Sequence, residues 1–76
     1  MNGEENKRIG QHIGQLRRQR GWTQEQLSAK LQVAGCDVTR SALAKIEVGQ
    51  RCVYPDEIKA LKKVLQVPYE EILDEK

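Results

Sequence analysis

The chain has no phenylalanine, one tryptophan and two tyrosines, so aliphatic side chains must fill whatever interior it builds. It has one histidine, His12, and two cysteines, Cys36 and Cys52, with no pair at metal-ligand spacing, which argues against a zinc site. The two cysteines read as reduced thiols, and a bridge between them would require the fold to bring the sulfurs together. No apolar run approaches the roughly 20 residues needed to span a bilayer. The opening Met-Asn-Gly-Glu-Glu-Asn lacks the apolar stretch of a signal peptide. A cytoplasmic chain is therefore expected, away from membranes and without a cofactor or an evident small-molecule ligand. Catalysis needs a converged nucleophile, base or metal, and this inventory offers none, so an enzyme is not expected.

What the chain does have is charge and short helical patterns. At 76 residues it should form one domain with a small core, near the lower limit for folding unaided. The net charge of +2 is unevenly spread. Residues 1–54 hold nine Lys/Arg against five Asp/Glu, whereas residues 55–76 hold four against six. Phosphates would repel the acidic end (Glu70, Glu71, Asp74, Glu75), which should face away from any nucleic acid.

The hydrophobic spacing predicts five short helices and no strand, with residues 1–6 a flexible tail and residues 7–76 a single domain. Helix 1 is expected over 7–20, with Ile9, Ile13 and Leu16 facing inward, Arg17 at the edge of that stripe and Gly21 as the stop. Gly10 and Gly14 weaken this helix by about 1 kcal/mol each relative to Ala, and close approach of another backbone is one reason for their presence. Arg18 and Arg20 read as solvated, and His12 as a packing residue. Helix 2 starts at a capping box, Thr23 with Gln26, flanked by a Trp22–Leu27 staple. Its stripe is Leu27, Leu31 and Ala34, and it should end before Gly35. Thr39 caps helix 3, whose back is Ala42, Leu43 and Ile46 and whose front carries Arg40, Ser41, Ala44 and Lys45; Gly49 ends it. Pro55 opens helix 4, with Asp56 and Glu57 in the first turn, a buried stripe of Ile58, Leu61 and Leu65, and Lys59, Lys62 and Lys63 on the wet side. After Pro68, Tyr69 to Leu73 make a last short helix with Ile72 or Leu73 turned inward.

Three segments in order carry a resemblance: the run from Ile13 through Trp22-Thr-Gln-Glu-Gln-Leu27 to Leu31, then Leu43-Ala-Lys-Ile-Glu-Val-Gly49, then Leu61 to Val67 followed by Tyr69-Glu-Glu-Ile-Leu73. Together they resemble the XRE-type, phage-repressor/Cro-like helix-turn-helix family of bacteria and phages. The resemblance implies a compact all-α, five-helix, lambda-repressor-like domain with its helix-turn-helix at helices 2 and 3. It also implies sequence-specific binding of double-stranded DNA by a repressor-like regulator that places helix 3, about Thr39 to Glu47, in the major groove. Gln24 matches a position that contacts backbone phosphate or an outer base, and Thr39 matches a cap that also touches phosphate. Arg40, Ser41 and Lys45 match base-reading positions, and their chemistry suits those roles: Arg and Lys can take guanine, while Ser is short and permissive. Gln50 and Arg51, just past the helix, suit phosphate contacts that set register. Arg17 and Glu47 match an ion pair that ties helix 1 to the end of helix 3 in relatives.

The chain departs from the family between Leu31 and Thr39, where Gln-Val-Ala-Gly-Cys-Asp-Val replaces the couple of residues usual there. The extra residues must lengthen helix 2, widen the turn, or both, with Val38 available to plug the core. Such insertions cost little stability, but this one bears on how helix 3 is presented. A homodimer is expected, because so small a domain makes few phosphate contacts; Val53, Tyr54, Val67 and Tyr69 are its candidate surface. A second reading keeps the fold as a protein-interaction module, antitoxin-like or regulator-binding, with DNA binding weak or secondary. The polar front of helix 3 argues against that reading.

Overall fold

The computed structural model describes residues 3–73, and among them five helices and no strand. They are α1 (Gly3–Gln19), α2 (Gln24–Val33), α3 (Arg40–Glu47), α4 (Pro55–Leu65) and α5 (Tyr69–Leu73). Residues 3–6, which the sequence suggested as part of a flexible tail, belong to α1. Glu4 and Glu5 in its first turn complement the positive end of the helix dipole. Met1 and Asn2 of that tail, and Asp74, Glu75 and Lys76 at the other end, lie outside the described residues.

One aliphatic core joins all five helices: Ile9, Ile13 and Leu16 from α1, Leu27 and Leu31 from α2, Leu43 and Ile46 from α3, Leu61 and Leu65 from α4, and Ile72 from α5. The helix α1 is the central support, packing against α3 on one side and α5 on the other. Gly10 and Gly14 are buried on the side facing α3. A Cβ at Gly10 would overlap the Ile46 carbonyl oxygen, so close backbone approach is what Gly10 permits, whereas Gly14 leaves room for the Arg18 and Glu47 side chains. His12 donates from Nδ1 to the Ile72 carbonyl at 3.0 Å, fastening α5 to α1.

Several assignments change. Ala34 is exposed rather than part of the α2 stripe, and Ser28 is buried there instead. Ile58 is only half-buried, leaving Leu61 and Leu65 as the buried apolar positions of α4, with Glu57 buried beside them. Val53 and Val67 are buried in the chain's own core, so they cannot form a dimer surface; Tyr54 and Tyr69 remain exposed. Arg20 is not a solvated residue. Its guanidinium donates to the Leu16 carbonyl and to the Leu65 carbonyl, joining the ends of α1 and α4.

The inserted segment has a definite structure. It lengthens α2 through Val33 and widens the turn as well. Gly35 takes φ +87, a left-handed conformation that favours glycine, and lets Cys36 N–H donate to Leu31 C=O at 2.9 Å while Gly35 N–H donates to Gln32 C=O at 3.0 Å. This is a Schellman ending, with the buried pair Leu31 and Cys36 as its apolar contact. Val38 is then buried, and its carbonyl accepts from the buried Ser28 hydroxyl at 2.6 Å. Two buried side chains and one buried hydrogen bond therefore pin the turn immediately before α3.

Candidate nucleic-acid interface

Thr39 starts α3, its hydroxyl accepting from Ala42 N–H at 3.1 Å. Eight residues at 3.6 per turn then divide into two faces. Leu43, Ile46 and Glu47 are buried against α1 and α2, which leaves Arg40, Ser41 and Lys45 exposed together on the other face with Ala44 half-buried between them. Val48 follows on the same face and is 56% exposed. Val48 was not among the residues expected on this face. Its position on the helical period, in line with Ala44 and beside Ser41, was the available signal. Gln50 is exposed just beyond the helix.

A second cluster holds this face in place. Glu47 accepts from Arg17 through both carboxylate oxygens, at 2.7 Å from Nε and 3.0 Å from Nη2. Arg17 also donates from Nη1 to the Trp22 carbonyl at 2.7 Å. Gln24, the first residue of α2, donates from Nε2 to Glu47 at 3.1 Å. The ion pair is largely withdrawn from water, with side-chain exposures of 11% and 6%. One carboxylate thus joins α1, the start of α2 and the end of α3. The Gln24 side chain, half-buried in this cluster, is oriented by it rather than free to swing. Sequence spacing offered no sign of the Gln24 contact.

Arg51, expected to contact phosphate, is not a free side chain: its guanidinium makes a bidentate pair with Glu57, at 2.9 and 2.7 Å, and also donates to the Cys52 carbonyl. Glu57 simultaneously accepts from Tyr54 N–H at 2.9 Å and so caps the start of α4. The Arg51 hydrogen bonds, with help from the Tyr54 N–H, hold the Glu57 carboxyl below its ordinary range despite its burial. The same hydrogen bonding raises the Arg51 pKa. The pair ties the connection between α3 and α4 to the first turn of α4.

Both cysteines are free thiols. Cys36 is buried in the turn before α3, and burial, followed by the nearby Glu57 carboxylate, pushes its pKa up. No helix among the described residues is long and apolar enough to cross a membrane. A family model described as Helix-turn-helix matches residues 13–72, from the middle of α1 to α5. No curated protein and no solved structure matched the chain.

Proposed function

We propose, from the premise that the chain belongs to the XRE-type helix-turn-helix family of DNA-binding proteins, that it is a sequence-specific transcriptional regulator whose α3 reads the major groove. The observation that carries this reading is the exposed row Arg40, Ser41 and Lys45 on a helix whose opposite side is buried. Arg40 takes guanine O6 and N7 through its planar fork, Lys45 takes guanine or a phosphate, and Ser41 permits close approach. Val48 adds methyl groups suited to the C5-methyl of thymine. Thr39, Gln24 and Gln50 make the phosphate contacts that set register, while Arg51 stays with Glu57.

The inserted turn supports this use of α3, because Cys36, Val38 and the Ser28 hydrogen bond fix where the helix begins. A repressor-like mode, in which occupancy of a site blocks transcription, needs nothing beyond this domain. Two copies on half-sites about 34 Å apart would supply the affinity that one small domain lacks. The direct check is binding of a labelled random duplex across a salt series. Affinity should fall steeply as salt rises, as phosphate contacts require. Absence of any duplex binding at low salt would contradict the proposal.

A further inference from the structure

On a side of the molecule that no residue of α3 lines, a cleft of about 760 Å³ opens between the outer face of α2 and the C-terminal end of α4. Trp22, Val33 and Val64 give it apolar walls, and Arg20, Lys30 and Lys63 ring it with positive charge. No carboxylate lines it among the described residues. Val33 is 90% exposed, the most exposed large hydrophobic residue described, and it lies in the segment between Leu31 and Thr39. The Lys30 ammonium sits 4.5 Å from the centre of the Trp22 ring. Arg20 is held rigidly by the Leu16 and Leu65 carbonyls and retains further N–H donors, so its charge is fixed in place before anything binds.

We infer that this cleft docks an acidic segment of a partner protein, with an apolar side chain seated between Trp22 and Val33 and flanking carboxylates on Arg20, Lys30 and Lys63. Charge complementarity selects this occupant. A duplex backbone would match the cations but leave Trp22, Val33 and Val64 without apolar partners, whereas an amphipathic acidic helix satisfies both features. The extra residues after Leu31 thus have a second consequence: extending α2 to Val33 builds one wall of the cleft while the turn positions α3. The inference rests on residues apart from the reading face, so its failure would leave the DNA reading untouched.

Trp22 is the chain's single tryptophan, and its fluorescence reports on the cleft directly. The full chain should be titrated with a synthetic tryptophan-free peptide carrying leucines at i and i+4 among glutamates, alongside the same peptide with lysine in place of glutamate. The acidic peptide should shift Trp22 emission to the blue in a saturable, salt-weakened manner, and the basic one should not. Lys30→Gln with Lys63→Gln, and separately Val33→Ser, should each weaken binding roughly tenfold with the helical circular dichroism unchanged. No saturable response to the acidic peptide, or an equal response to both peptides, would overturn the inference. So would a response driven by random duplex, which would assign the cleft to phosphates. A shift that rises with protein concentration alone and disappears with Glu70→Lys and Glu71→Lys would assign the cleft to a second copy instead, which is equally an overturning result.

Discussion

Gly10 shows most plainly how much one position can decide, because α1 and α3 meet there backbone to backbone. Gly10→Ala must push α3 away from α1, at an expected cost of about 1–3 kcal/mol or more of stability. Gly3 on the same helix has open space at its Cβ, so Gly3→Ala should be nearly neutral. Urea denaturation of the two variants separates close approach from mere helix propensity. Glu57 gives a second test at this scale. Its folded pKa lies below the ordinary 4.5, so its stabilising contribution is fully present above that value. The contribution disappears as pH falls from about 4.5 through the depressed folded value. Glu57→Gln should therefore flatten the acid side of the stability profile, and an unchanged acid limb would contradict the pairing with Arg51. Cys36, with its raised pKa and buried sulfur, should alkylate more slowly in the native protein at neutral pH than the half-exposed Cys52. Mass mapping after brief labelling checks the order.

The helices stand where local chemistry placed them. Thr23 with Gln26, Thr39, Pro55 and Gly49 each act within a few residues of sequence, and each marks an element boundary that could be read directly. The front and back of α3 were legible from Arg40 to Ile46, where period and polarity agree; Glu47, charged yet buried, and Val48, apolar yet exposed, depart from that rule. What could not be read is what depends on other elements. The burial of Val53 and Val67, the Arg20 link to α4, the capture of Arg51 by Glu57 and the Gln24 contact to Glu47 all join residues whose proximity no local pattern encodes. The inserted turn falls between these cases. Gly35 announced the stop, but the Ser28 hydrogen bond and the burial of Cys36 emerged only from packing. At this scale the Arg17–Glu47 pair is the element most exposed to test. Glu47→Gln leaves Arg17 without its charge partner and should cost about 3 kcal/mol. The double change Arg17→Met with Glu47→Leu should recover much of that loss, because neither charge is then stranded. Thermal melts of both variants decide between a structural tie and an incidental surface pair.

As a whole, the molecule is a small scaffold that presents one polar helix face, and its charge is arranged to suit: the basic share lies in residues 1–54 and the acidic share in residues 55–76. Exposed Glu70 and Glu71 on α5 would repel phosphate, while Arg40 and Lys45 are the exposed cations of the proposed reading face. If two copies act together on DNA, footprints and sedimentation of the complex should report a two-fold site; a chain that stays monomeric on its preferred duplex would remove the dimer from the account. The central claim is that α3 reads base sequence, and selection from a random duplex pool, run in parallel on the wild-type chain and Arg40→Ala, tests it most directly. The account predicts a defined motif for the wild type and a loss of about 1–3 kcal/mol of discrimination at guanine-bearing positions for the variant. An identical motif from both proteins, or no motif from the wild type, would contradict it.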